Sequence, residues 1–451
     1  MTKNHNIEAS MEEILAAREQ RAADQQKLLA KYGLPLVCFT MNIPGPVKTS
    51  SLIRRAFDFG YDLLFESLEF CGFPVSFQKA QESADGPTAF FVAEGEPKSI
   101  KELCMAIENV HPLGRLFDFD VITESGKIDR SELGEAPRKC LLCGEDAKIC
   151  ASQRKHPVEH VQAKIDETIS MFFWKFDPEY ISELANQAVL RELEITPKPG
   201  LVDSDNNGSH QDMEFEHFRK SIAALEPYWF KSIKLGQDNQ DAEAHEVFFK
   251  LRELGKIAEE KMFEATDGIN THKGIIFSLG IICCAVGRLW KAEDEQWSTD
   301  DILKEAAKLC KEPLTIDFED LEESQDAGTT GEELFLSYGL RGARGEAQDG
   351  FPAVDNIALP ALKKARKNGM SDNDAYVFAL LKLISKVTDT CMIARSDNQV
   401  ASKAKKDAEM LLLDEPFDLE KVKNLDDKFI SQNLSPGGCA DLLTLAIFLD
   451  Y

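Results

Sequence analysis

The sequence lacks an apolar run long enough to cross a membrane. Its most apolar stretch, GIIFSLGIICCAVG from Gly274, falls short of the roughly 20 residues a span requires, so a buried helix is expected there. The stretch MTKNHNIEASMEEILAAREQ has no apolar core of the kind a secretory signal carries, and a cytoplasmic location is expected. Basic residues are outnumbered: 52 Lys and Arg stand against 78 Asp and Glu, a net charge of −26. Residues 1–175 account for −5 of this and the remainder for −21. Such a surface repels nucleic acid and anionic membrane, which excludes both as main partners. A small anionic ligand needs only a local basic pocket and stays allowed. The 11 cysteines are odd in number and scattered, which suits a reducing compartment better than a disulfide framework. No internal repeat is visible.

What is present is a chain of 451 residues, too long for one typical core, whose pattern changes partway. Up to about Met171–Asp177, strand-like runs alternate with helical periodicity: strands at Pro35–Pro46, Thr88–Gly95 and Gly114–Thr123, helices at 11–31, 49–70 and 99–112. Beyond that point the pattern is nearly all helix. The expected architecture is multidomain: residues 1–175 form an α+β domain with a mixed sheet, and residues 176–451 an all-α domain. Two segments, KLGQDNQDAEAH and EESQDAGTTGEE, read as exposed loops without a function.

Four polar, glycine-rich segments interrupt the helical half. TPKPGLVDSDNNGSHQDM combines helix-breaking Pro197 and Pro199 with permissive Gly200, which would fix Lys198, Asp203, His210 and Asp212 in space. GINTHKGIIFSLG places Asn270, Thr271, His272 and Lys273 at the start of the buried helix, where free N–H groups and the dipole favour an anion. TTGEELFLSYGLRGARGEAQDGFP, from Thr329, interleaves Gly339, Gly342 and Gly345 with Arg341, Arg344 and Glu346; arginine forks grip phosphate oxygens. SPGGCADLL reads as a helix start, with Ser435, Gly437, Gly438 and Asp441 at its mouth. Together they suggest one site for a polyphosphate with Mg²⁺, carboxylates holding metal and basic groups holding phosphate.

In this order the four segments resemble triphosphoribosyl-dephospho-CoA synthase. Cys439 stands where that family leads one to expect serine, and Cys391 where it leads one to expect asparagine. The resemblance implies that ATP and 3′-dephospho-CoA are substrates. The dephospho-CoA ribose hydroxyl attacks C1 of the ATP ribose and adenine leaves. On that reading Lys198, Asn270, His272, Lys273, Arg341, Arg344, Ser435, Gly437 and Gly438 bind substrate. Asp203, Asp212 and Asp441 are candidates for Mg²⁺, with Asp203 and Asp212 also counted among the catalytic groups. Glu346 or His210 is the general base.

In the first half, GRLFDFDVI separates Asp118 from Asp120 by one residue, so on a strand both carboxylates leave one face. Phe117, Phe119 and Val121 take the other face. Lys48, Arg54 and Arg55 lie at a turn-to-helix junction suited to phosphate. Cys140, Cys143, Cys150 and His156 offer four zinc ligands, but the spacing after Cys143 fits no common finger, so free thiols are the expected state. FTMNIPGPVKTSSLIRRAF, GRLFDFDVI and LGEAPRKCLLCGEDAKICASQRKH resemble apo-citrate lyase phosphoribosyl-dephospho-CoA transferase, the holo-acyl-carrier-protein synthase of citrate lyase. This implies transfer of the group onto a serine of the lyase's acyl carrier protein (γ subunit) with release of pyrophosphate. Asp118 and Asp120 would act in catalysis and hold Mg²⁺, while Lys48, Arg54, Arg55 and Arg115 would neutralise the triphosphate. The product of the second half is then the substrate of the first, which gives a tether its use. The rival expectations are a non-catalytic assembly factor for a carrier-protein complex, or a hydrolase of ADP-ribose-type ligands in the helical half.

Overall fold

The computed structural model describes residues 9–294, 297–413 and 417–451. Residues 1–8, part of the stretch read for a secretory signal, lie outside the described residues. Two compact units are present, one of Met1–Phe176 with Lys291–Glu295, the other of Asp177–Trp290 with Gln296–Tyr451.

The first unit starts with α1 (Met11–Tyr32), opened by a capping box. Ser10 Oγ accepts from Glu13 N, and the Glu13 carboxylate accepts from Ser10 N. There follow β1 (Leu36–Met41), α2 (Ser51–Phe70), β2 (Val75–Gln81), β3 (Thr88–Ala93), α3 (Pro97–Val110), β4 (Phe117–Thr123), β5 (Gly126–Lys127) and α4 (Ala147–Ser152). The sheet order is β2-β3-β1-β4-β5, and every pairing is antiparallel. The mixed sheet expected from the alternating pattern is thereby corrected. Helices α2 and α3 each join strands that run the same way, but one strand is interleaved between each joined pair, so no neighbours are parallel. The edge strand β2, with most of its side chains in or near solvent, escaped the sequence reading because it lacks a buried face.

Strand β4 has the expected two faces. Phe117 and Phe119 pack with Phe39 from β1, whose ring stacks on Phe57 of α2 at 4.7 Å. A Cβ on Gly60 would lie 2.8 Å from the rings of Phe117 and Phe39, so only glycine lets α2 approach this closely. On the opposite face Asp118 pairs in register with Thr40, and Asp120 with Cys38. That face also carries Leu36, Phe90, Val92 and Ile122, which pack against Leu29 of α1. Beyond the short pairing with β5, the free edge of β4 is closed by side chains. Phe119 N donates to Glu108 Oε1 at 2.9 Å, Lys101 Nζ donates to Phe119 O at 2.7 Å, and Arg138 Nη1 donates to Phe117 O at 2.9 Å.

The helical unit takes the end of α5 (Val158–Glu194) and then α6 (Phe215–Asp238), α7 (Ala244–Ala265), α8 (Lys273–Leu289), α9 (Thr299–Ser324), α10 (Thr330–Tyr338), α11 (Gly342–Gln348), α12 (Leu359–Lys367), α13 (Asp372–Lys386), α14 (Thr390–Arg395), α15 (Asn398–Leu411), α16 (Leu419–Ser431) and α17 (Gly437–Leu449). Among its described residues no strand occurs. The apolar run is α8, buried along nearly its whole length. Added Cβ atoms on Gly236 and Gly287 would overlap Cys284 O and Ile233 O, so these glycines bring the backbones of α6 and α8 into contact. Among the described residues no helix is long and apolar enough to span a membrane.

Candidate active sites

Three of the four glycine-rich segments of the helical unit meet at one cavity of about 600 Å³. Its wall comprises Gly274 and Ser278 of α8, Gly339–Ala343 with Gly345 and Glu346 around the start of α11, Asp349 and Phe351–Ala353, Asp389–Cys391 at the start of α14, and Gly438 and Asp441 of α17. A second cavity of about 660 Å³ shares Gly274 and Ala343 with the first and adds Arg252, Lys273, Asp317, Asp320, Glu332 and Arg344. The cationic residues expected to act together are therefore distributed. Arg341 lines the first cavity and is paired with Asp349. Lys273 and Arg344 line the second, held by Glu259 at 3.0 Å and Glu332 at 2.9 Å. Thr329 and Glu332, where the third segment overlaps the stretch read as an exposed loop, also belong to that wall.

Asp441 is the acidic group of the first cavity to which the structure gives no hydrogen-bond partner among the described residues. Burial, with Glu192 and Asp389 nearby, pushes its carboxyl well above the ordinary carboxylate range. A Cβ on Gly274 would overlap Asp441 Oδ2, so the glycine is the cradle in which this carboxyl lies. Asp389 is buried and fully occupied. Its Oδ1 accepts from Cys391 N at 2.8 Å and Met392 N at 3.1 Å, and its Oδ2 accepts from Cys439 N at 2.8 Å. One carboxylate thus ties the N-termini of α14 and α17 together. Sequence reasoning noticed Asp389–Cys391 only through Cys391; an Asp at a helix start was the available signal. Glu346 lines the same cavity, its Oε2 accepting from Ala353 N at 3.1 Å, and burial raises its pKa.

The proline-rich segment 196–213 lines neither cavity. Asp203 is buried with both oxygens engaged: Oδ1 accepts from Asp205 N and Asn206 N, Oδ2 from Thr196 Oγ1 and Lys198 N, all within 3.0 Å. Lys198 Nζ donates to Glu192 O and Oε1, both at 2.8 Å. Asp212 is mostly exposed. His210 shares a 2.9 Å hydrogen bond between its Nε2 and Ser435 Oγ, and its Nδ1 accepts from Arg395 Nη2 at 2.9 Å. Gly200, at φ 72, sits under Leu434 O, where a side chain would collide. The segment therefore props the turn at Leu434–Pro436 from which α17 presents Gly438 and Asp441. Ser435 faces this brace rather than the cavity, and a Cβ on Gly437 would lie 3.5 Å from Cys391 Sγ.

Asn270 caps the start of α8, its Oδ1 accepting from Lys273 N at 3.3 Å. His272 is buried behind it, with Nδ1 2.7 Å from Ser221 Oγ. Burial, with Lys198 adding to it, depresses its pKa to about 3, and burial, with Arg395 adding to it, depresses that of His210 to about 4. Both are neutral at pH 7, which leaves His210 unprotonated but with both nitrogens occupied. In the unfolded chain these groups take up protons near pH 6.5, so below that value the unfolded state binds more protons than the folded state. Stability is expected to fall as pH drops from about 6.5 towards the folded values. In His272→Asn the difference in urea-unfolding free energy between pH 7 and pH 5 should shrink; an undiminished difference would remove His272 from this account.

In the first unit the carboxylate pair on β4 meets two cations. Lys127 Nζ lies 2.5 Å from Asp120 Oδ1, and Arg138 Nη2 lies 3.5 Å from Asp118 Oδ1. Burial and then Asp120 raise the pKa of Asp118, partly offset by Arg138. Lys127 and Arg138 were not singled out by sequence, because each lies outside the strand motif. Arg115 donates to Lys139 O beside them. Arg138 is held in turn by Glu108, which also pairs with Arg130 at 2.6 Å. The junction cations lie elsewhere. Lys48 Nζ donates to Ile43 O at 2.5 Å, and Arg54 pairs with Asp58 and Glu82. Arg55 is buried, donating to Ala292 O at 2.8 Å with its guanidinium 3.8 Å from the Phe173 ring centroid. Cys140, Cys143, Cys150 and His156 do come together, their ligand atoms all within 4.8 Å of one another.

Paired acidic and basic groups on two separate scaffolds, one lining glycine-walled cavities, belong to a group-transfer enzyme with two active parts. The CitG family model, ATP:dephospho-CoA triphosphoribosyl transferase, matches residues 178–451, and the CitX model, apo-citrate lyase phosphoribosyl-dephospho-CoA transferase, matches residues 9–172. Protein CitXG of Leuconostoc mesenteroides subsp. cremoris is 34% identical over 97% of this chain and 96% of its own length. Protein CitXG of Haemophilus influenzae is 33% identical over 97% and 95%. The 2-(5''-triphosphoribosyl)-3'-dephosphocoenzyme-A synthase of Haemophilus ducreyi is 34% identical over 68% of this chain and 98% of its own length. The chain belongs to the CitXG family, a fusion of CitX and CitG, and is a bifunctional transferase.

Proposed function

We propose that the helical unit joins ATP to 3′-dephospho-CoA with release of adenine, and that the first unit passes the product to a serine of the citrate lyase acyl carrier protein with release of pyrophosphate. The observation that carries this reading is the convergence of α8, α11, α14 and α17 on one cavity holding Asp441, Glu346 and Arg341. In the helical unit the bond between ATP ribose C1 and adenine breaks, and a bond forms from C1 to the ribose hydroxyl of dephospho-CoA. Glu346 takes the hydroxyl proton, and adenine leaves protonated. Raised by burial, Glu346 is a better proton acceptor than an ordinary glutamate. The two adjoining cavities give room for two substrates.

Mg²⁺ fits the donor sets of both units. Asp441, crowded by other carboxylates and without a cationic partner among the described residues, would be restored to its charged form by a divalent ion. Asp118 and Asp120 offer oxygens to a metal while Arg138 and Lys127 offer charge to phosphate. Bound there, Mg²⁺ would neutralise charge on the triphosphate. The acceptor serine belongs to the carrier protein, so the first unit needs no nucleophile of its own. The acidic composition accords with a cytoplasmic enzyme.

Incubating the chain with ATP, Mg²⁺ and dephospho-CoA should yield free adenine and a heavier CoA derivative. Adding the apo carrier protein should then yield pyrophosphate and a modified carrier. Adenine without an adduct would favour a hydrolase, and silence in both assays would favour an assembly factor. Glu346→Gln should lower kcat for adenine release by about 10²-fold or more. It should also abolish the acid limb of the rate profile, which in the parent enzyme lies above the usual carboxylate range.

A further inference from the structure

The cysteine–histidine group lies in a stretch that has almost no apolar support. Among the described residues between Ile122 and Ile165, Cys150 alone is buried. Yet the backbone there is well organised. Cys140 N donates to Glu145 O at 2.7 Å, Ala147 N donates to Arg138 O at 2.9 Å, and Gly144 turns the chain at φ 71. Segments of this size without a core are commonly held by a disulfide or a metal.

Sulfur spacing chooses between those two. Cys150 Sγ lies 3.5 Å from Cys140 Sγ and 4.0 Å from Cys143 Sγ. A disulfide requires about 2.05 Å. Thiolates at two corners of a tetrahedron around Zn²⁺, each about 2.3 Å from the metal, are about 3.8 Å apart. His156 Nε2 is a buried polar atom with no hydrogen-bond partner among the described residues. Leu142 N points at Cys140 Sγ from 3.5 Å, as in a knuckle whose backbone amides support a thiolate. The spacing after Cys143 fits no common finger, yet α4 folds back and returns Cys150 and His156 to the Cys140–Cys143 turn.

We propose that Cys140, Cys143, Cys150 and His156 bind one Zn²⁺ as a closed structural centre that braces the segment carrying Arg138 to Asp118. Three thiol protons are released on binding, and His156 binds neutral. All four positions are protein ligands, so no open position is left for catalysis. The consequence for the site runs through Arg138, which pairs with Asp118 and Glu108, and through Lys139 O, which accepts from Arg115. Arg138 is thus a residue positioned by the metal.

The test is metal analysis of the full chain purified without chelator from zinc-supplemented cells. About one zinc per chain is expected, retained in Cys71→Ser and lost in Cys143→Ser and His156→Ala. Cobalt substitution should give the intense thiolate-to-metal absorption of a tetrahedral sulfur-rich site. In the zinc-free variants KM for the prosthetic-group donor in carrier modification should rise, while adenine release stays at the parent rate and reports an intact helical unit. The zinc content stands or falls independently of the proposed transfer step. Less than a tenth of an equivalent of zinc in the parent chain, or equal zinc in parent and Cys143→Ser, would overturn the proposal. So would a cobalt-loaded parent chain without thiolate charge transfer.

Discussion

Asp441→Asn should reduce adenine release by at least about 100-fold, the scale seen when a single charge-stabilising group is removed from an active site, while leaving the thermal midpoint nearly unchanged. The substitution keeps shape and removes the charge that a cation would seek. Gly274→Ala should do the same from the other side. At the start of a helix, alanine for glycine is ordinarily stabilising, by up to about 1 kcal/mol. Here the new methyl would overlap Asp441 Oδ2, and the carboxyl must move out of its cradle. The expected signature is a protein at least as stable as the parent but inactive in adenine release. Each variant would still modify the carrier when given the finished prosthetic group. Full adenine release by Gly274→Ala would show that the Asp441 position is not needed.

The converse separation is expected from Asp120→Asn and Asp118→Asn. Carrier modification, read by pyrophosphate release and by carrier mass, should fall about 100-fold or more. Adenine release should stay unchanged. Asp120 faces Lys127 at 2.5 Å and Asp118 faces Arg138 at 3.5 Å, so each substitution also frees a cation beside the other carboxylate. The double variant should lose little beyond the worse single one, since both serve one site. Loss of adenine release in either variant would reverse the assignment of steps to units.

How much was legible follows from the range of each interaction. β1, β3, β4, α2 and α3 lie close to where alternation and periodicity put them, since burial of a face is recorded locally. β2 was missed because an exposed edge carries no such record. The two faces of β4 were readable from Phe117, Asp118, Phe119 and Asp120 alone. Lys127 and Arg138 were not, since each reaches β4 from a different segment. Likewise the glycine-rich segments announced a site, but proline, glycine and carboxylate in 196–213 describe a rigid turn equally well whether it lines a cavity or props one. Asp203 spends its oxygens on its own loop, a fact recorded in backbone geometry rather than in composition.

The order of motifs along the chain determined by itself that two transferase families are fused here, that one half is helical, and that Asp118 and Asp120 share a face. Periodicity and motif identity are local properties of the polypeptide. Only the tertiary structure decided that the sheet is antiparallel, that Arg341 and Arg344 serve different cavities, and that Asp441 rather than Asp203 is the open carboxyl. It also brought three sulfurs and an imidazole within reach of one ion. Those outcomes depend on which distant segments meet, and the packing of α8 against α6 and the fold-back of α4 settle that.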